Sequence, residues 1–275
     1  MITTREWHLP GGPNGSERLF ARAWATGGVE PSWLAVLVHG YGEHSGRYEH
    51  VAQHLCANDA AVYSLDHRGH GRSSGERVLI DDFADATQDV HRVITQARTA
   101  YRSLPLVLIG HSMGGMIAAR YAQEHPEQVT GLVLSSPLVG RSSTVDELLA
   151  LESIPETPID PQILSRDPAV GSAYAADELV WHGAFKRPTL NGIRTELERI
   201  TEAGRLHETP LLWMHGSDDR LIPAEESRVG IDALSGADVT ERIFPQARHE
   251  LFNETNRDEV LEEVTRFARR VSASG

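Results

Sequence analysis

Short apolar runs of strand length alternate along this chain with longer stretches in which apolar residues recur every three or four positions. Trp33-Leu34-Ala35-Val36-Leu37-Val38 shows no polar face, as a strand buried on both sides requires. Runs at Ala61–Leu65, Leu104–Ile109, Val129–Leu134, Leu211–His215 and Val239–Phe244 repeat the pattern, and Leu19–Ala25 reads as an earlier antiparallel strand. Residues 46–58, 81–102, 112–125 and 257–271 read as helices; the second carries an apolar stripe at Phe83, Ala86, Val90, Val93 and Ala97. Such alternation predicts an α/β fold, a mostly parallel sheet with helices on both faces.

The run 104–109 leads directly into Gly110-His111-Ser112-Met113-Gly114, and a helical stretch follows. In G-x-S-x-G at a strand-to-helix turn, the serine takes a tight, strained position and the glycines let neighbouring backbone pass. Ser112 is therefore a candidate nucleophile. A serine hydroxyl needs an imidazole to take its proton and a carboxylate to hold that imidazole in one tautomer. The strand at 211–215 ends in Gly216-Ser217-Asp218-Asp219, and the last strand is followed by His249. Asp219 is preferred as the acid, with Asp218 the alternative, and His249 is the base. The chain order Ser, Asp, His is that expected of an α/β-hydrolase. The loop His39-Gly40-Tyr41-Gly42 can offer one backbone N–H to an oxyanion, and the N–H of Met113 the other.

These motifs, together with His39–Tyr48, Leu65–Ser73, Gly110–Gly115, Gly216–Pro223 and His249-Glu250, resemble the monoacylglycerol lipase group of the α/β-hydrolases. The resemblance implies an eight-stranded, mostly parallel sheet with an inserted helical cap. It implies Ser112, Asp219 and His249 as the triad, the amides of Tyr41 and Met113 as the oxyanion hole, and Glu43 and Arg47 near the glycerol end. A surface ion pair four residues apart explains Glu43 and Arg47 about as well. The implied reaction is cleavage of a lipid ester, monoacylglycerol foremost, through an acyl-enzyme. A general carboxylesterase or lysophospholipase, or a noncatalytic ligand-binding homologue, is the alternative.

Alternation stops between Pro137 and Arg205, where prolines 155, 158, 161, 168 and 188 interrupt short helical pieces. This predicts a cap of residues 137–205 inserted into a core of 1–136 and 206–275. Its apolar side chains, including Leu148, Ile154, Ile159, Leu164 and Trp181, are candidates for an acyl channel, with Leu138, Leu221 and Ile222 beside them; about half of the cap's apolar residues are expected only to pack the cap onto the core. The run Leu148–Ile154 is short and contains Glu152, so dispersed monoesters are expected as substrates rather than oil droplets.

A chain of 275 residues, 40% hydrophobic and 24% charged, has material for one sizeable core. Its 26 basic and 39 acidic residues leave a net charge of −13, which opposes binding to nucleic acid or strongly anionic lipid. Cys56 is the single cysteine, so no internal disulfide forms, and residues 1–10 lack the apolar core of a signal peptide or spanning helix. A cytoplasmic location is expected, with no cofactor and no metal; most of the 14 histidines, His39, His67, His70 and His111 among them, are expected to be hydrogen-bonded scaffold.

Overall fold

The computed structural model describes residues 1–206 and 208–273. Among these, eight strands form one sheet: β1 (Ile2–Gly11), β2 (Glu17–Thr26), β3 (Trp33–Val38), β4 (Ala60–Leu65), β5 (Leu106–His111), β6 (Gly131–Ser135), β7 (Leu211–Gly216) and β8 (Val239–Phe244). Their spatial order is β1-β2-β4-β3-β5-β6-β7-β8, and only β2 runs against its neighbours.

The unbroken apolar run of β3 has a direct cause. Leu34, Val36 and Val38 join a core with the stripe of α2 (Phe83–Ala100) and the small face of α3 (Met113–Glu124). Ala35 and Leu37 point the other way, into a second core with α1 (Glu49–Ala57) and α8 (Arg257–Ser272). Each face of the strand thus meets a helical layer, which leaves no position for a polar side chain. β1 escapes this pattern. It pairs only with β2 and most of its side chains are exposed, so its sequence carries no apolar signature. The helix expected from residue 46 begins as a 3-10 turn at Ser45–Tyr48 and becomes α-helical at Glu49.

Between β6 and β7 the chain forms α4 (Ser143–Ala150), α5 (Pro168–Ala176) and α6 (Arg187–Ala203). The buried face of α6, with Leu190, Ile193, Leu197 and Ile200, belongs to the same core as α2 and α3. Around α5 the attachment is polar: Arg166 pairs with Glu254 at 2.8 Å, and the N–H of Glu250 donates to Leu164 O at 2.8 Å. At its start this segment is held to α7 (Ala224–Leu234). Ser227 Oγ donates to Pro137 O at 2.7 Å, and Gly140 and Gly230 lie back to back, where a Cβ on either would sit 2.3 Å from the other's backbone nitrogen.

The approach of α3 to β3 is as close. A Cβ on Gly114 would meet Val38 O at 2.1 Å and His39 O at 2.5 Å, and neither backbone atom can move aside cheaply. Gly114→Ala is expected to destabilise the fold by about 3 kcal/mol, read in a thermal melt as a loss of roughly 6–12 °C.

Candidate active site

β5 hands over to α3 at a single residue, Ser112, whose φ of 54° and ψ of −122° place a side-chain-bearing residue in the left-handed half of the map. Such a conformation costs on the order of 1–3 kcal/mol and persists only where its surroundings enforce it. Four hydrogen bonds do so. The Ser112 N–H donates to Ser135 O at 3.0 Å, and its carbonyl accepts from the N–H groups of Gly115, Met116 and Leu138. The main chain is thereby fixed, and the side chain borders a cavity that His249 also lines.

The carboxylate of Asp219 is saturated. Oδ1 accepts from the N–H groups of Leu221 and Ile222, each at 3.0 Å; Oδ2 lies 2.8 Å from His249 Nδ1 and 3.1 Å from His215 Nε2. Trp213 Nε1–H donates to His215 Nδ1 at 3.2 Å, so the His215 proton sits on Nε2, which also reaches Ile222 O at 2.9 Å. Burial pushes the Asp219 carboxyl up, yet the adjacent His249 and the bonds from both imidazoles hold it well below the usual carboxylate range. His249 mirrors it: burial lowers its pKa, and Asp219, helped by Glu250 and Glu43, raises it above the ordinary value. With Nδ1 engaged by Asp219, Nε2 is the nitrogen left for chemistry. Asp218 is instead half-exposed and pairs with Arg220.

Opposite Ser112, the loop after β3 is held by side chains. His39 Nε2 accepts from the His67 N–H at 3.0 Å, so Nδ1 carries the proton and donates to Gly40 O at 2.8 Å. Burial and the neighbouring His70 keep His39 neutral. The Gly40 N–H donates to Glu43 Oε1 at 2.7 Å. Gly40 O and the Tyr41 N–H belong to one trans peptide, so fixing the carbonyl aims the amide the other way. Among the described residues, neither the Tyr41 nor the Met113 N–H donates to a protein acceptor.

The cavity is mixed in character. Its wall holds the charged side chains of Glu43, Arg47 and Glu250 with His111, and the apolar side chains of Leu138, Leu148, Ile159, Leu164, Leu221 and Ile222, together with Val145, Phe185, Leu190, Ile193 and Tyr174, whose ring lies 5.0 Å from the Arg47 guanidinium. Ile154 and Trp181 are not in the wall: Ile154 packs against the core, and the Trp181 indole donates to Ala184 O. Glu43 and Arg47 do pair, at 2.7 Å, but the pair is buried rather than on the surface. Arg47 also grips both oxygens of Glu250 at 2.6 and 2.7 Å, and Glu43 Oε1 accepts from Tyr48 OH at 2.6 Å. One guanidinium between two buried carboxylates leaves a net negative charge beside His249. The Glu250 partnership and the brace from His215 carry no sequence signal, since Glu250 lies 203 positions from Arg47 and His215 reads as the end of a strand.

Sheet order, strained serine and carboxylate–imidazole pair define an α/β-hydrolase of the serine type. A family model described as serine aminopeptidase, S33 matches residues 29–256. The chain is 36% identical to a monoacylglycerol lipase of Mycolicibacterium smegmatis, over 96% of this chain and 97% of that protein. It is 35% identical to the human monoglyceride lipase, over 86% and 81% respectively. The crystal structure of a monoacylglycerol lipase from Paleococcus ferrophilus superposes with a TM-score of 0.80 at 28% identity, covering 92% of this chain and 99% of that one. The chain belongs to this serine hydrolase family, as a carboxylic-ester hydrolase of the monoacylglycerol lipase-like group.

Buried imidazoles around the site set an acid limit. Burial, with His249 beside it, lowers His111 to about 4, and burial lowers His70 to about 4, against 6.5 when exposed. At these two residues the unfolded chain therefore binds more protons than the folded one between those values, so their contribution to stability is fully present above pH 6.5 and is lost as pH drops toward 4. Each of the two is expected to remove about 3 kcal/mol across that window, measured by denaturant unfolding from pH 7 to 4.

Proposed function

We propose that this protein hydrolyses monoacylglycerols, with Ser112 as nucleophile, His249 as acid–base and Asp219 as its orienting carboxylate. The observation that carries the reading is one cavity beside Ser112 whose wall combines the charged, hydrogen-bonded cluster Glu43–Arg47–Glu250 with a larger number of apolar side chains. A single acyl chain suits the apolar side chains, and an alcohol bearing hydroxyls suits the charged cluster. The names of the relatives, monoacylglycerol or monoglyceride lipases, agree with it. Residues 137–205 act as the cap over this cavity and 1–136 with 206–275 as the core.

In this mechanism His249 Nε2 takes the Ser112 proton as Oγ attacks the ester carbonyl. The charge that develops on the carbonyl oxygen is met by the N–H groups of Tyr41 and Met113, the latter at the positive end of α3. Collapse breaks the bond to glycerol, whose oxygen receives the proton from His249. Water, deprotonated by the same imidazole, then attacks the acyl-enzyme, and the second adduct collapses as His249 returns that proton to Ser112 Oγ and the fatty acid leaves. The net negative charge of the Arg47 cluster favours the imidazolium formed in both halves. Among the described residues no helix is long and apolar enough to cross a membrane. Cys56, buried and unpaired, suits a reducing compartment, and the cytoplasm is the location we assign.

Ser112→Ala is expected to abolish labelling by a fluorophosphonate probe and to lower kcat by about 10⁵- to 10⁶-fold; retained labelling sinks the assignment. Because only the neutral base works and Asp219 raises the pKa of His249, kcat/KM should fall as pH drops through an ionisation above 6.5. Asp219→Asn should move that limb to lower pH and reduce kcat by roughly 10⁴-fold. At matched concentrations, long-chain monoacylglycerol should be turned over faster than diacylglycerol or lysophosphatidylcholine. A preference for either of the latter refutes the substrate assignment.

A further inference from the structure

The turn Trp181–Lys186, part of the insertion, touches the Tyr41 loop at two residues. The Trp181 N–H donates to Gly42 O at 2.7 Å. The Phe185 ring stacks on the Tyr41 ring with centroids 4.6 Å apart and planes 18° from parallel. A Cβ built on Gly42 would sit 3.5 Å from Trp181 Cβ, an ordinary van der Waals distance. The turn has its own internal support: Trp181 Nε1–H donates to Ala184 O at 3.0 Å, and Gly183 lies so close over the indole that a Cβ there would be 2.4 Å from Trp181 Cζ2. The indole is thus spent on folding its own turn, which points its amide at Gly42 and Phe185 at Tyr41.

Tyr41 is the residue whose N–H should meet the oxyanion. Upstream its peptide is fixed through His39 and Gly40 O; two peptides further on, the carbonyl of Gly42 is fixed by Trp181. Gly42 has φ of 74°, which glycine adopts without a Cβ clash, so the loop turns at this point and its carbonyl can meet an outside contact. The inserted segment supplies that contact. We infer that the Trp181–Lys186 turn clamps the oxyanion loop, with Phe185 acting through Tyr41 as a positioning residue for its N–H. The inference rests on the Proposed function assignment of Tyr41, and it gives the insertion a part in transition-state binding besides enclosing the acyl chain.

Phe185 also borders the cavity, so the competing explanation is that it merely contacts the acyl chain. Esters of different length separate the two, because the acetyl group of p-nitrophenyl acetate is too short to need an acyl wall. Both acylation and deacylation pass through an oxyanion, so kcat reports the clamp whichever step limits. Phe185→Leu, which keeps an apolar wall but loses the stack, should lower kcat about 10-fold on both p-nitrophenyl acetate and p-nitrophenyl palmitate, with KM within about twofold. Inhibition by a trifluoromethyl ketone, whose serine adduct carries the oxyanion, should weaken by the same factor. Phe185→Tyr, which keeps the stack, should remain within about threefold of the parent on every measure. Trp181→Phe, which removes the bond to Ala184 O without touching Tyr41, should lower kcat on the acetate at least threefold, with folding checked by a melt.

An unchanged kcat on the acetate in a folded Phe185→Leu or Trp181→Phe, or an effect confined to KM for the palmitate, overturns the clamp. If Ser112→Ala still hydrolyses ester, the functional assignment itself fails. If Ser112→Ala is inactive and Phe185→Leu is not impaired on the acetate, only the clamp does.

Discussion

The carboxylate of Asp219 is the interaction around which the site is arranged. A buried anion is tolerated only when its acceptor sites are filled, and here three hydrogen-bond donors serve them, two consecutive main-chain amides of its own loop and the His249 imidazole, with His215 Nε2, bonded to Ile222 O, lying 3.1 Å away. The amides fix where the loop after β7 stands, and His215, itself locked by Trp213, braces the carboxylate from the sheet side. His249 is then held on the cavity side with its tautomer decided. Removing one donor would leave the others supporting a less satisfied charge, so the position of the imidazole depends on groups that never approach a substrate.

A second buried cluster acts through space. Arg47 is enclosed with Glu43 and Glu250, and its positive charge is outweighed by their two negative ones. Burial pushes the Glu250 carboxyl up, but the guanidinium keeps it below the usual carboxylate range. Glu43 also grips the Gly40 amide, so the same residue that lends charge to the cavity wall steadies the loop opposite Ser112. Electrostatics and loop geometry are therefore not separable at this site, and substitutions of Glu43 would disturb both.

Much of this was legible in the sequence because its causes are local or periodic. A strand covered on both faces must be apolar throughout, which made β3 and β5 plain; β1, exposed along most of its length, offered no such constraint. The serine elbow is encoded within five residues, and Asp219 and His249 follow strands whose ends are visible. Trp181 shows where reading fails: a large aromatic in an apolar insertion suggests a substrate wall, yet its indole turns inward on its own loop. Direction of a side chain is a tertiary property, and so are the pairing of Arg47 with Glu250 and the support of Asp219 by His215.

The reciprocal contact of Gly140 with Gly230 has a consequence for chain measurement. Leu138, just upstream, is tied by its N–H to Ser112 O, while Pro137 O is held by Ser227 on α7. That stretch cannot swing independently of the sheet, so Leu138 is a fixed datum at a constant distance from the reacting oxygen. On this side of the cavity the fixed wall ends at Gly140, and any change in the cavity's length is left to the side chains that follow, Val145 and Leu148 among them.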